Sequence, residues 1–197
     1  MSEIGLFFEN LNYSWDWIES SAVLMSVLYV FFAAKENIWC WFFGAISAIL
    51  YTYICFNIKL YAETFLQLFY LIMAVIGYIS WKKTEVSKIN QWSVKKHLIL
   101  ISLSIILVFI VGFLLSIRTD AKMPLVDTFT TVFSVVATIL VIKKVLENWL
   151  YWIVIDLVSI FLYFERDLHL SSILFMIYTI IAIKGYFSWI EKSKLNV

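Results

Sequence analysis

The sequence predicts an all-α integral membrane protein of seven transmembrane helices, arranged as two parallel three-helix repeats joined by one extra helix. Composition, the spacing of apolar segments and an internal repeat lead to this prediction. Hydrophobic residues make up 63% of the 197 residues and charged residues 15%, whereas soluble domains average roughly 45–50% apolar and about 25% charged residues. Such a chain would expose too much apolar surface in water, and its net charge of +1 does not suggest nucleic-acid binding.

Seven apolar segments approach or reach the roughly 20 residues that a helix needs to cross a bilayer. Short polar sequences separate them, and strands are not credible because open sheet edges cannot face lipid. The predicted spans are Trp17–Ala34, Ile38–Phe56, Leu60–Trp81, Leu98–Ile117, Leu125–Ile142, Trp149–Phe164 and Leu168–Ile190.

An internal repeat relates the two halves of the chain by a shift of 108 residues without a gap. Its most specific match is Gly77-Tyr78-x-Ser80-Trp81 with Gly185-Tyr186-x-Ser188-Trp189. Because an even number of helices precedes the second copy, both copies enter the membrane from the same side, an arrangement that transporters use to bind substrate between their halves. The predicted divisions are a first repeat with its inner loop (1–96), a connecting fourth helix that faces lipid (97–122) and a second repeat (123–197).

The distribution of basic residues predicts the orientation, because Lys and Arg are retained in the cytoplasm. The side that carries the N-terminus has four basic residues: Lys59, Arg118, Lys122 and Arg166. The opposite side has ten: Lys35, Lys82, Lys83, Lys88, Lys95, Lys96, Lys143, Lys144, Lys192 and Lys194. We therefore expect the N-terminus outside and the C-terminus in the cytoplasm.

Asp156 is the best-placed candidate for ligand binding, since ionisable residues within spans are costly and tend to be functional. Trp149, Trp152 and Asp156 lie at helical spacing on one face of the sixth span. Two indoles and a carboxylate suit a flat, positively charged aromatic ligand. The alternative is structural, with the indoles in the interfacial aromatic belt and Asp156 bonded to a neighbouring helix.

The first copy differs at the equivalent positions, which are Trp41, Gly44 and Ala48. The second copy has large and charged groups where the first has small ones, which predicts a single ligand bound off the axis of the repeat. Further candidates for the site are Gln67, Trp41, Tyr163 and Tyr178. For Gln67, a hydrogen bond between helices is an equally good interpretation.

The sequence has no phosphate-binding loop, no cluster of residues with metal-ligand spacing and no nucleophile–base pair. We therefore expect no enzyme activity, no cofactor and no metal. A retinal-binding photoreceptor is disfavoured because Lys184 lies near the cytoplasmic end of the last span, where its side chain can reach the membrane surface.

Four segments together resemble the Pnu family of bacterial B-vitamin transporters: Asn37–Gly44, Lys59–Gln67, Asp127–Thr131 and Leu146–Asp156. The resemblance extends over nearly the whole chain and implies a location in the bacterial inner membrane and a 3+1+3 helix arrangement related to SWEET sugar transporters. It also implies facilitated diffusion of an unphosphorylated vitamin, which a cytoplasmic kinase then traps. In the family, the element that matches Trp149, Trp152 and Asp156 lines the substrate site.

Members of that family carry nicotinamide riboside, thiamine or riboflavin, so the resemblance leaves the cargo open. Thiamine is the preferred expectation, because Thr138 stands where nicotinamide riboside carriers have Gln. Nicotinamide riboside, also a flat cation, is the alternative, and a non-transporting receptor or membrane enzyme is a further one. The expected partners are the vitamin, the lipid bilayer and, functionally, the kinase; nucleic acid is not expected, and homo-oligomerisation is left open.

Overall fold

The computed structural model describes residues 17–57, 61–83, 89–118, 123–165 and 169–195. Within these ranges the chain forms seven helices, which confirms the predicted helical class and helix number. They are α1 (Trp17–Ala34), α2 (Trp39–Asn57), α3 (Tyr61–Lys83), α4 (Val94–Arg118), α5 (Pro124–Ile142), α6 (Asn148–Phe164) and α7 (His169–Leu195). Four basic residues used to predict the orientation, Lys59, Lys88, Lys122 and Arg166, lie outside the described residues.

Six of the seven helices are long and apolar enough to cross a membrane, and α6, with 17 residues, is apolar but shorter. The predicted boundaries differ most at the start of α4 and at the end of α7. There the helices include charged residues such as Lys95, Lys96, Lys192 and Lys194. Hydropathy locates the part of a helix that lies in lipid, whereas the backbone hydrogen bonds continue into the polar layer.

The helices pack in two groups, α1–α2–α3 and α5–α6–α7, and α4 packs against α5. Contacts of α1 with α7 and of α3 with α5 join the groups. Large apolar side chains of α4 are exposed, among them Leu103, Ile106, Phe109 and Phe113. This exposure fits a helix that faces lipid.

α1 and α5 end in the same type of cap at one end of the bundle, where α2 and α6 begin and most lysines lie; we call this the lysine-rich end. Glu36 N–H donates to Ala33 (2.8 Å), and Lys144 N–H donates to Val141 (2.9 Å). Both residues have left-handed backbone conformations, with φ of 56° and 51°. Glycine is the usual residue at this position of a helix cap, because other residues are strained there by roughly 1–2 kcal/mol.

Candidate functional site

Asp156 lies near the middle of α6, eight residues from Asn148, which places it roughly 12 Å along the helix. The residue is only 3% exposed. Among the described residues no hydrogen bond or ion pair to its carboxylate is found. A buried carboxylate without a cation is unfavourable, so a cation bound beside Asp156 would stabilise its charged form.

Trp152 is half-buried one turn before Asp156 and packs against both hydrophobic clusters of the core. Ala137, which is fully buried, belongs to the second of these clusters. The equivalent positions in the first half, 108 residues earlier, have the large and small side chains the other way round. Tyr29 is equivalent to Ala137, and Gly44 is equivalent to Trp152. A Cβ atom on Gly44 would lie 2.9 Å from the Tyr29 ring. The large aromatic ring therefore comes from α1 in the first half and from α6 in the second.

Two tyrosine–serine pairs lie between the helix groups, and one of them is close to Asp156. Tyr178 of α7 shares a hydrogen bond with Ser26 of α1, and the hydroxyl of Tyr70 of α3 lies close to that of Ser134 of α5. Tyr178 also lies within electrostatic range of Asp156. The pairs place hydroxyl groups between the two halves, and the Tyr178 hydroxyl is the one near the carboxylate.

The site residues predicted from the sequence did not include Ser26, Tyr70 and Ser134. The signal was present in the repeat, because Ser26 matches Ser134, and Tyr70 matches Tyr178. A polar residue in both copies of an otherwise apolar repeat indicates a position where the halves meet.

Trp149 and Trp41 lie in the core at the lysine-rich end, and each is only 2% exposed. Their rings pack edge-on against Trp189 (5.5 Å between centroids) and Trp81 (5.2 Å), and Trp81 lies 6.2 Å from Trp189. We call Trp41, Trp81, Trp189 and Trp149 the indole row. The burial of Trp149 does not fit the interfacial belt of the structural alternative.

The outer members of the indole row, Trp41 and Trp149, keep buried indole N–H groups that have no hydrogen-bond partner among the described residues. The inner members bond across the bundle. Trp81 donates from Nε1 to the carbonyl oxygen of Ile142, and Trp189 donates to that of Ala33, both at 3.1 Å. The row therefore connects each helix group to the other where α1 and α5 end.

The remaining candidates lie on different helices. Tyr163, near the far end of α6, stacks on Phe175 (5.2 Å, 18° between planes), and Phe175 also contacts Tyr178 edge-on. Gln67 is half-buried on α3, three residues from Tyr70 and so on the same face. The structure thus brings Asp156, Tyr178 and Tyr163 to one region, and places Trp41 and Trp149 in the indole row.

Two further observations limit the chemistry of the region. The Thr138 hydroxyl donates to the carbonyl oxygen of Ser134 at 2.8 Å, so it is engaged by its own helix. No group of three metal-ligating side chains occurs in the part of the chain that the structure describes.

Comparison with known proteins connects this arrangement to a transporter family. The model of the nicotinamide mononucleotide transporter family matches residues 16–191. The nicotinamide riboside transporter PnuC of Escherichia coli (strain K12) is 28% identical over 93% of this chain and 89% of its own length. The PnuC protein of Neisseria mucosa is 29% identical over 90% of this chain and 73% of its own length.

A solved structure shares the fold. The crystal structure of the vitamin B3 transporter PnuC superimposes with a TM-score of 0.77 at 26% identity, covering 99% of this chain and 89% of that one. The family match extends over nearly all of the chain, from the start of α1 to the last turns of α7. The chain is a multi-pass membrane protein that belongs to the nicotinamide mononucleotide transporter family, as its resemblance to the Pnu transporters predicted.

Proposed function

We propose that the protein is a passive carrier that moves nicotinamide riboside into the bacterial cytoplasm, where phosphorylation traps it. The observation that carries this proposal is Asp156, a buried carboxylate without a described partner, near the Tyr178 hydroxyl that bonds to the other helix group. The named relatives support nicotinamide riboside rather than thiamine as cargo. The preference for thiamine that the sequence suggested finds no support in these relatives.

The chemistry of the region suits this substrate. The pyridinium ring of nicotinamide riboside is flat and cationic, so the Trp152 ring can stack on it while the carboxylate of Asp156 offsets its charge. The hydroxyls of Tyr178 and Ser26 and of Tyr70 and Ser134 can exchange hydrogen bonds with the ribose. A phosphate group beside Asp156 would be repelled, which favours the unphosphorylated nucleoside.

Thiamine is the second candidate because one observation favours it. The Thr138 hydroxyl is bonded within its helix, so it does not replace the ribose-binding Gln that the resemblance leads one to expect. Thiamine has no ribose and presents a permanent cation to Asp156.

We further infer that α1–α3 and α5–α7 are two equivalent units that rock against each other around the site, with α4 as connector. In this proposal the first unit spans residues 1–96 with its inner loop, the connector 97–122 and the second unit 123–197, and the lysine-rich end faces the cytoplasm. Two observations support this equivalence. The helices α1 and α5 end in matching caps, and each helix group contributes the tyrosine of one tyrosine–serine pair and the serine of the other.

Uptake by liposomes that contain the purified protein tests the proposal. Labelled nicotinamide riboside should reach the same concentration on both sides, without ATP and without an effect of an ionophore that removes ion gradients. Unlabelled thiamine and nicotinamide mononucleotide serve as competitors. Protein-free liposomes are the control.

Three outcomes would change the assignment. Uptake of thiamine with exclusion of nicotinamide riboside would reassign the cargo. Accumulation above the external concentration would contradict passive transport. Binding without flux of any of these compounds would identify a receptor instead of a carrier.

A further inference from the structure

We propose that Glu36 and Lys144 form a gate that closes the lysine-rich end of the bundle in each transport cycle. We call these two residues the gate pair. The inference rests on the proposed carrier function and assigns to that function two residues remote from the candidate substrate site.

The gate pair is a buried ion pair between the two helix groups. The Lys144 amine donates to Glu36 Oε1 at 2.9 Å, and the two side chains are 9% and 3% exposed. Lys192 of α7 approaches the other carboxylate oxygen at 3.5 Å. The Lys144 amine also lies 4.7 Å from the centre of the Trp81 ring. Removing one of these charges while the other stays buried is strongly unfavourable, because the remaining charge is left unpaired.

The position of the gate pair in the repeat is special. Glu36 and Lys144 are 108 residues apart, so each occupies the other's equivalent position. A residue meets its own equivalent only on the axis that relates two halves. Identical residues there would place like charges together, and the two halves carry opposite charges instead. The sequence therefore departs from its repeat at the point where attraction can close the bundle.

The backbone supports a role for these side chains. Both residues have left-handed conformations, with φ of 56° and 51°, at cap positions where glycine is preferred. Strain of this kind persists where a side chain is needed for function. Glycine would satisfy both caps but would leave no ion pair.

The surroundings allow the gate pair to open. A cavity of about 340 Å³ lies beside it, lined in part by Trp81, Ile142 and Lys144. When the halves separate, water can enter from this side and hydrate both charges, and an exposed ion pair is worth little. The gate pair therefore stabilises the closed end while both charges are buried, and it opposes opening only weakly once water has entered.

The native thiol of Cys40 provides a test, because it is fully buried in the first turn of α2, in the same cluster as Trp41. In a Cys55→Ala background, the rate at which a water-soluble maleimide labels Cys40 reports opening of the lysine-rich end. We expect Glu36→Gln and Lys144→Gln each to raise this rate roughly tenfold or more, since breaking a buried pair shifts equilibria by at least that factor. The two variants change the local charge in opposite directions, so a rise in both reports access and not the charge near the thiol.

Exchange of the charges is the decisive variant. Glu36→Lys combined with Lys144→Glu keeps the ion pair and places residues already tolerated at these backbone conformations, but it sets a lysine beside Lys192 and removes the Lys144 contact with Trp81. Labelling should therefore fall clearly below the rate of either single variant without reaching the parent rate. Glu36→Gly should raise labelling although it relieves the cap, which separates gating from capping. Lys143→Gln is the matched control, because Lys143 is an exposed neighbour in the same turn, and it should leave the rate unchanged.

Unchanged labelling in Glu36→Gln and Lys144→Gln would overturn the proposal, as would an exchange variant that melts like the parent protein but labels like the single variants. If the exchange variant does not fold, the Glu36→Gly result decides, and a parental labelling rate there overturns the gate. The carrier function is tested separately by the uptake assay. Liposomes that transport neither vitamin would refute the function while the labelling pattern still reports on the ion pair.

Discussion

At the residue scale, the carboxylate of Asp156 and the methyl group of Ala48 occupy equivalent positions, 108 residues apart in the sequence. Both are buried, at 3% and 2% exposure. A buried methyl group contributes to packing, whereas a buried carboxylate without a partner lowers the stability of the empty protein. Such a group is retained where its interaction with a ligand outweighs that loss.

Asp156→Asn should therefore separate binding from stability. The substitution keeps the volume and removes the charge, so we expect affinity for nicotinamide riboside to fall by about 2–5 kcal/mol, the typical effect of removing one partner of a buried charge pair. The melting temperature of the unliganded protein should stay the same or rise, because an unpaired buried charge is removed. Calorimetric titration and thermal unfolding in detergent measure the two effects.

Glu147→Gln is the control for this prediction. It removes a carboxylate next to the start of the same helix, where Glu147 accepts a hydrogen bond from the Trp92 backbone, far from the proposed ligand. Its affinity should match that of the parent protein. Parental affinity in Asp156→Asn would instead return Asp156 to a structural role.

At the element scale, two glycines set how closely the helices of each group approach. A Cβ atom on Gly185 would lie 2.9 Å from the Trp149 ring, and one on Gly77 would lie still closer to the Trp41 ring. Both rings are held edge-on by the next indole of the row. They cannot rotate away, so α3 and α7 need glycine to pack against α2 and α6.

Gly77→Ala and Gly185→Ala should each destabilise the protein by about 1–3 kcal/mol, because the added methyl group overpacks a rigid contact. The loss should be larger for Gly77→Ala, where the space is smaller. Gly112→Ala is the comparison, since the nearest atom there is the methyl carbon Cδ2 of Leu125, which can move, and the Leu125 Cα lies 3.2 Å away. Thermal unfolding in detergent should rank the three; equal melting temperatures for all of them would contradict the rigid contacts.

The helices were predictable from the sequence because the membrane imposes a length and a composition on each span. The first helix, Trp17–Ala34, begins and ends at the predicted residues. The contact between Gly185 and Trp149 was not, although the glycine stood in the most specific motif of the repeat. Hydropathy treats every apolar side chain alike, so it cannot distinguish an indole that packs on glycine from one that faces a ligand. The Glu36–Lys144 contact was hidden for a related reason, because both residues belong to polar turns that hydropathy assigns to the membrane surface.

At the scale of the whole molecule, charge is distributed unevenly between the two ends. The lysine-rich end includes Lys143, Lys192 and Lys194 among the described residues, and the opposite end includes apolar residues such as Phe56 and Phe164, which are 61% and 58% exposed. A carrier that delivers its cargo to a kinase must open toward the cytoplasm. The retention of positive charge in the cytoplasm favours the lysine-rich end, where the proposed gate pair lies, for that side.

Reporter cysteines should reveal this orientation in cells. In a chain with Cys40→Ala and Cys55→Ala, a cysteine at Lys143 should react with a membrane-impermeant maleimide in inside-out vesicles and stay unlabelled in spheroplasts. A cysteine at Phe164 should show the reverse pattern, since it lies at the other end of α6. The expected contrast is roughly tenfold or more, because the bilayer excludes the charged reagent. Labelling of Lys143→Cys in spheroplasts would place the lysine-rich end outside, and would require the proposed gate pair to close the path to the exterior instead of the path to the cytoplasm.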